Sequence, residues 1–326
     1  MKPVESILVI MHHRLAQSRL YLPLGVVVIL MSVMAPAENL PDFDSLWNYD
    51  KPAETEKQFR EILPLAQKSG DVGYLAELLT QIARTLGLQQ KFEEAHALLD
   101  SVQPMLEKTG TLARVRYHLE RGRAYNSSGQ KEKAIEQFNQ ALELASKEKL
   151  DFYAVDAAHM LAIAAPTPQH RDWNLKAISL AEASSDPKAR TWLGSLYNNL
   201  GWDFFFKKDY GEALKLFEKA LEHRQQQGKP TLILSAKWCV AKTLRMLGKV
   251  DSALAMQFEL EKNWEKAGEQ DGFVYEEIAE CLLTLNRKEE ARKYFALTHQ
   301  YLSADPWLSR DEPERLERLR KLGQTK

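Results

Sequence analysis

The sequence has 326 residues, of which 44% are hydrophobic and 27% are charged, which is enough for a sizeable packed core. The 44 Lys and Arg residues nearly balance the 45 Asp and Glu residues. This balance excludes a bulk electrostatic attraction for nucleic acid and leaves only a local basic face open. With two cysteines, Cys239 and Cys281, the chain is neither a disulfide scaffold nor a zinc module.

An apolar run of 15 residues, Leu20 to Met34, dominates the N-terminus. Arg14 and Arg19 precede it, and the A-x-A tripeptide at 35–37 follows it, which is the pattern of a secretory leader. We therefore interpret residues 1–37 as a signal peptide, so the mature chain is expected to be periplasmic or secreted. The leader is long, and a true start at Met11 would give it an ordinary length.

Two other interpretations of the same run remain. An uncleaved segment at residues 20–34 would anchor the chain in the inner membrane, although 15 residues that include Pro23 are short for a membrane span. A buried core helix is disfavoured because the run carries no amphipathic stripe.

Residues 38–75 are predicted to form a linker and half of a helical repeat. The stretch from Asp42 to Asp50 is read as a linker with aromatic anchors at Phe43 and Trp47. A helix is predicted from Pro52 to Gln67, and Gly70 is its stop signal. This helix has the pattern of the second helix of a repeat whose first helix is missing or degenerate.

The clearest helical pattern lies between Tyr197 and Ala220. Apolar and small residues recur there at helical spacing on both sides of a polar turn at residues 208–210. These residues are Tyr197, Leu200, Gly201, Phe204, Ala213, Phe217 and Ala220. The stretch resembles a tetratricopeptide repeat (TPR), in which two antiparallel helices approach closely at small residues.

The pattern recurs six times in residues 76–302, with repeats that start at residues 76, 115, 155, 194, 234 and 272. The steps of 39, 40, 39, 40 and 38 residues exceed the usual length of a TPR. The resemblance, to an exported bacterial type with long repeats, implies an all-α fold: a right-handed α-solenoid of antiparallel helix pairs. The third repeat fits worst, because Pro166 and Pro168 interrupt it and Asn174 occupies a large apolar position.

Glycines mark the predicted ends of several helices, and a last helix follows the repeats. Four glycines after second helices are expected in left-handed C-caps: Gly70, Gly110, Gly228 and Gly268. Residues 303–326 are interpreted as a C-terminal cap. Within them, a helix from Pro313 to Leu322 would cover the last repeat with Leu316 and Leu319.

No catalytic motif is present in the sequence. The metalloprotease H-E-x-x-H, the G-x-S-x-G elbow, the P-loop and the dinucleotide-binding G-x-G-x-x-G are all absent. We therefore predict no catalytic residue, no metal site and no cofactor. Cys239 and Cys281 are expected to be small buried core residues, and a disulfide between them remains an alternative.

The resemblance implies that first helices line a concave groove and that repeat positions 2, 5, 9, 12 and 13 face it. Carried onto this sequence, these positions suggest a site of basic, polar and aromatic residues that suits an extended peptide or an acidic segment. The candidate residues are Arg84, Arg116, Arg123, Asn126, His159, Asn198, Trp202, Phe205, Trp238, Lys242 and Arg245. Trp202 is also expected to form a cation–π pair with Lys242 or Arg245. The alternative is that the tryptophans pack between helices and the arginines are solvated.

The resulting functional hypothesis is a non-enzymatic scaffold that binds a protein or peptide in its groove. It predicts no nucleic-acid partner, and membrane contact only through an uncleaved N-terminal segment. One alternative is a sensor or regulator of a signalling peptide, since peptide-responsive TPR regulators have similarly long repeats. A remote alternative is an enzyme with an unrecognised site around Asp156 and His159.

Overall fold

The computed structural model describes residues 40–324, which form two units, residues 40–196 and residues 197–324. The proposed signal peptide at residues 1–37, the start at Met11 and the anchor at residues 20–34 lie outside the described residues. Within residues 40–324, α-helices and 3-10 helices are the only regular secondary structure. None of the helices in this part of the chain has the length and hydrophobicity needed to cross a membrane.

The unit of residues 40–196 begins with a 3-10 helix at Phe43–Leu46. Its α-helices are α1 (Pro52–Ser69), α2 (Val72–Leu88), α3 (Phe92–Val102), α4 (Thr111–Ser127), α5 (Lys131–Lys147), α6 (Asp151–Ala164), α7 (His170–Ala183) and the short α8 (Pro187–Arg190). The boundary between the units falls inside α9 (Leu193–Phe206). Consecutive helices pack against each other, and α2 also packs against α4.

The unit of residues 197–324 continues the same alternation of helices. Its further α-helices are α10 (Tyr210–Gln227), α11 (Pro230–Met246), α12 (Val250–Lys266), α13 (Gly272–Thr284), α14 (Lys288–Leu302), the short α15 (Pro306–Asp311) and α16 (Pro313–Gly323). Successive helices from α10 to α14 pack against each other, α15 packs against α16, and α16 packs against α14. Leu316 and Leu319 of α16 are buried, as the predicted amphipathic stripe requires.

Local sequence signals explain where many helices begin and end. The Asp71 carboxylate accepts the backbone N–H of Tyr74 at 2.9 Å and so caps α2. Gly70 ends α1 with φ of 75°, a left-handed conformation that costs glycine little. Gly110 differs from the prediction: its φ is −68° and it precedes α4. A 3-10 helix at Gln103–Lys108 ends the preceding helix early, so Gly110 falls at the start of the next one.

In two helix pairs, the helices approach most closely where a glycine on one helix faces a phenylalanine ring on the other. A Cβ atom on Gly122 would lie 2.5 Å from the Phe138 ring, and one on Gly201 would lie 2.7 Å from the Phe217 ring. Both rings are fully buried. The small residues predicted from the sequence therefore leave room for a large ring on the partner helix.

The third repeat shows how its poor pattern is accommodated. The chain leaves α6 at Ala165, passes Pro166 and forms a 3-10 turn at Thr167–Gln169 before α7 begins. Asn174 is buried although it is polar, with 8% of its surface exposed. Within residues 40–324, the side-chain oxygen of Asn174 has no hydrogen-bond partner.

Candidate functional site

The first helices of the unit of residues 40–196 are joined by ion pairs between successive repeats. Glu77 on α2 contacts the Arg116 guanidinium on α4 at 3.4 Å. In the next layer, Arg123 on α4 donates to Glu120 at 2.6 Å and to Asp156 on α6 at 2.6 Å. We call this set the first-helix cluster; its members are Glu77, Arg84, Arg116, Glu120, Arg123 and Asp156.

Burial and pairing oppose each other at the arginines of this cluster. Burial alone would lower the pKa of Arg123, but Asp156 and Glu120 raise it above the usual value. For Glu77 burial prevails, and it raises the pKa of the carboxyl even though Arg116 lowers it. Charged groups removed from water in this way are stabilised only by their partners.

Arg84 is the least constrained member of the cluster. Its Nε atom lies 3.7 Å from Glu120, beyond hydrogen-bond distance, and its side chain is 26% exposed. Glu120 is held more closely by Arg123. Arg84 therefore has donor atoms to offer to a further acceptor.

The stretch predicted as a linker lies against the same helices. We call residues 41–50 the N-terminal segment. Phe43 is buried, with its ring 6.0 Å from that of Phe59 and 5.1 Å from that of Tyr74. Trp47 donates its indole N–H to Gln81 at 3.1 Å. The aromatic anchors expected from the sequence therefore hold the segment against α1 and α2.

Asp44 brings the N-terminal segment onto the first-helix cluster. Its carboxylate accepts both Nη groups of Arg116, one of them at 2.9 Å. The same guanidinium lies 5.5 Å from the ring centres of Phe43 and Tyr153. Despite its burial, Arg116 has its pKa raised above the usual value by Asp44.

Two other predicted residues of this unit lie near the cluster but do not extend it. His159 is buried, and its ring centre lies 5.1 Å from that of Trp192. Asn126 is half-buried, and its side-chain oxygen has no hydrogen-bond partner among the described residues. Asp156, named in the remote enzyme hypothesis, accepts two hydrogen bonds from Arg123.

In the unit of residues 197–324, the predicted aromatic residues are core residues. Trp202 is 3% exposed, Trp238 8% and Phe205 9%, and all three belong to one apolar cluster with Phe217. The Trp202 ring centre lies 5.1 Å from that of Phe217, and Trp238 donates to the carbonyl of Phe273 at 3.1 Å. The expectation that these side chains face an open groove is wrong for this structure. Their large apolar surfaces are instead removed from water between helices, which was the alternative interpretation.

The predicted basic residues of this unit are paired with one buried carboxylate. Arg245 donates to Glu277 at 2.8 Å, and Lys242 donates to the same group. Glu277 is 1% exposed. Burial would raise its pKa, but Lys242 and Arg245 hold it at about 2. Lys242 also lies 5.0 Å from the ring centre of Trp238, so the expected cation–π contact forms with Trp238 and not with Trp202.

Asn198 and the cysteines are also interior groups. Asn198 is buried, and its oxygen accepts the Cys239 thiol at 3.6 Å. Cys239 and Cys281 are both buried thiols, as expected for core residues, and the disulfide alternative is not seen. Burial raises the pKa of the Cys281 thiol to about 12. The Cys281 thiol therefore lacks the character of a reactive nucleophile.

Sequence reasoning did not predict that carboxylates one repeat away pair with the predicted basic residues and neutralise them. Asp156 follows Arg123 by 33 positions, and Glu277 follows Arg245 by 32. A signal was present, because opposite charges one repeat apart are brought together by stacking of successive first helices. Asp44 carried no such signal, since it lies before the first complete repeat.

Comparison with known proteins agrees with the helix-pair geometry. Tetratricopeptide repeat models match residues 115–148 and residues 193–226. The first match starts at the residue predicted to begin the second repeat. No curated protein matches the sequence significantly.

Solved structures of similar fold share little sequence identity with this chain. Apo RapI has a TM-score of 0.64 and 11% identity, with 81% of this chain and 76% of RapI covered. A signal transduction ATPase from Pyrococcus horikoshii, described as having a tetratricopeptide repeat sensor, has a TM-score of 0.63 and 15% identity. That match covers 84% of this chain but only 42% of the ATPase. PilF of Pseudomonas aeruginosa has a TM-score of 0.52 and 13% identity, with 71% and 93% covered. These likenesses confirm the all-α, TPR-type fold class and carry no activity with them.

Proposed function

Because the chain is a tetratricopeptide repeat protein, we propose that it is a non-enzymatic scaffold that binds an extended protein or peptide segment along the first helices of residues 40–196. The repeat family supports a role in protein interaction. The finer assignment, a peptide on the face formed by the first-helix cluster, rests on the charges of that face. We assign no catalytic residue and no cofactor to it.

The observation that carries the proposal is the incomplete pairing of Arg84. Its side chain is a quarter exposed and its Nε atom lies 3.7 Å from Glu120, whereas Arg123 is held by two carboxylates. A ligand carboxylate or peptide carbonyl can accept from Arg84 without breaking a close pair. The ligand that fits is an extended segment with at least one acidic group.

The test replaces Arg84 and a matched arginine elsewhere. Peptides are selected by display on the purified chain, and their affinities are then measured for Arg84→Gln and Arg60→Gln variants. Arg60 lies on α1, is 47% exposed and forms an ion pair with its helix neighbour Glu56. Loss of one charge-assisted hydrogen bond predicts an affinity about tenfold weaker for Arg84→Gln, with no change for Arg60→Gln. The proposal fails if no peptide is selected or if the two variants bind alike.

The second candidate function is a sensor or regulator that responds to a signalling peptide. The observation that favours it is the N-terminal segment, which lies on the same face through Asp44 and Arg116. A ligand that shares this face has a route to change the position of the segment. A peptide that binds without altering amide exchange in residues 41–50 would support the scaffold and not the sensor.

For the location of the protein, we propose export with cleavage of residues 1–37, which leaves a periplasmic or secreted chain that starts at Glu38. The support is the sequence pattern of the leader. N-terminal sequencing of the chain recovered from the periplasmic fraction or medium tests this. Retention in the membrane fraction with residues 20–34 intact would support the inner-membrane anchor instead.

A further inference from the structure

The N-terminal segment is attached by side chains spaced along one short helical turn. Phe43 enters the pocket formed by Phe59 and Tyr74, and Asp44 pairs with Arg116. Trp47, four positions after Phe43, donates to Gln81 and packs on Phe59 with ring centres 5.3 Å apart. The three anchors form the pattern F-D-x-x-W, which covers the 3-10 helix Phe43–Leu46 and its C-cap residue Trp47.

The receiving face has the character of a built anion site. Arg116 is only 6% exposed and lies between two aromatic rings. Glu77 reaches its Nε side at 3.4 Å, whereas the outer Nη groups donate to Asp44. A buried guanidinium requires an anion at these donors, because a buried charge without a partner is strongly destabilising.

The contact with Asp44 is also accessible from solvent. The Asp44 side chain is 34% exposed, although its partner Arg116 is buried. Tyr49, stacked on Trp47 with ring centres 4.5 Å apart, is 62% exposed. An acidic group from another chain can therefore approach Arg116 along the path that Asp44 occupies.

From these contacts we propose that residues 41–50 are a built-in ligand of the first-helix face. An external peptide with an acidic residue between two aromatic anchors binds at the same place and displaces residues 41–50. This rests on the proposed function and deepens it by naming the chemistry of the ligand. The attached segment competes at an effective concentration on the order of millimolar. Binding in trans is therefore weak until the segment is loosened.

The experiment uses a fluorescent peptide that copies residues 40–50 and measures its binding to the full chain by anisotropy. The receptor variants are Asp44→Asn/Trp47→Ala, which loosens the attached segment, and the same variant with Arg116→Gln added. The control peptide carries Asn in place of the acidic residue that corresponds to Asp44.

We expect the peptide to bind the loosened variant at least about tenfold more tightly than the wild type, because intramolecular competition is reduced. Addition of Arg116→Gln, or use of the control peptide, should abolish this gain. Circular dichroism must show unchanged helix content for the compared variants. If the double variant does not fold, Asp44→Asn alone replaces it, and at least threefold tighter binding is expected.

Equal binding of the peptide by folded wild type and loosened variant overturns the inference and leaves the segment as a structural cover. The proposed function is tested separately by the peptides selected on the wild type. If those peptides depend on Arg84 but are not displaced from the loosened variant by the copied peptide, the scaffold proposal stands and this inference fails. If no peptide is selected on the wild type but the copied peptide binds the loosened variant, this inference stands and the scaffold proposal fails.

Discussion

Glu277 illustrates how single charges are maintained inside these helix layers. The carboxylate is 1% exposed and is contacted by Lys242 and Arg245. Removing such a group from water costs several kcal/mol, which two cations and their hydrogen bonds offset. The same cations are therefore committed to the fold and are not free to bind a ligand. Burial and pairing, more than charge alone, decide which residues of a repeat are available for recognition.

Gln257 on α12 is a buried polar residue without such compensation. It is 0% exposed, and neither atom of its amide has a hydrogen-bond partner within residues 40–324. An unsatisfied buried polar group costs about 1–3 kcal/mol. We therefore expect Gln257→Met, which preserves the unbranched shape, to raise the free energy of unfolding by about 1 kcal/mol in urea titrations.

The matched control for this prediction is Gln225→Met on α10, where the side chain is exposed. A surface change of this kind is expected to alter stability by less than about 0.5 kcal/mol. A loss of stability in Gln257→Met would contradict the prediction, as expected if an internal water molecule satisfied the native amide.

At the scale of helices, the sequence correctly predicted the features that depend only on helical spacing. The stripe of Gly201, Ala213 and Phe217 and the burial of Leu319 follow from helical spacing and are found in the structure. The exposure of Trp202 and Trp238 was predicted wrongly. Periodicity shows which residues share a face, but not whether a neighbouring helix covers that face. The N-terminal segment was missed as part of the candidate site because its contacts join distant positions, such as Asp44 and Arg116.

Close approach of α4 and α5 predicts a specific cost for one added methyl group. In Gly122→Ala the new Cβ would lie 2.5 Å from the Phe138 ring, which is too close for a fully packed core. Such overpacking lowers the free energy of unfolding by about 1–3 kcal/mol, despite the better helix propensity of alanine. Thermal and urea unfolding measure the change.

Gly87→Ala is the matched control, since Gly87 also lies in a helix of the same unit but has no atom within 4 Å of the added Cβ. There the helix propensity acts alone, and stability is expected to rise by up to about 1 kcal/mol. Equal effects of the two substitutions would refute the close-packing explanation.

The last helix predicts a second effect at this scale. α16 contacts α14 so closely that a Cβ on Gly323 would lie 2.7 Å from the backbone of Ala296, and Arg315 donates to Glu276 at 3.0 Å. Deletion of residues 306–326 removes this cover and should expose the apolar flank of the last repeat. We expect a lower melting temperature or aggregation by light scattering. Deletion of residues 325–326 alone is the control, and equal melting temperatures for both truncations would contradict the cap interpretation.

At the scale of the whole chain, the net charge is close to zero, but opposite charges are arranged in regular pairs. Arg123 pairs with Asp156, and Arg245 with Glu277, each across about one repeat. This pattern explains why composition alone, with 44 basic and 45 acidic residues, revealed no binding face. We therefore expect the pH dependence of stability to be set by a few buried groups more than by net charge.

Two histidines should make the chain less stable in mild acid. Burial and then Arg121 lower the pKa of His96, although Asp100 raises it. Burial likewise lowers the pKa of His118, against the effect of its hydrogen bond to Gln137. In the unfolded chain both should titrate near pH 6.5, so the unfolded state binds more protons just below that pH. Their contribution is therefore complete above pH 6.5 and falls as the pH decreases below it.

Urea titrations at pH 8, 6.5 and 5 distinguish these histidines from Glu277. Its pKa of about 2 lies below the usual carboxyl value, so its stabilisation is lost only below about pH 4.5. We expect wild-type stability to decrease between pH 6.5 and 5, and His96→Gln/His118→Gln to reduce that decrease. Gln can still accept from Arg121 but gains no proton in this range. The same decrease in wild type and double variant would show that other groups set the acid sensitivity of the chain.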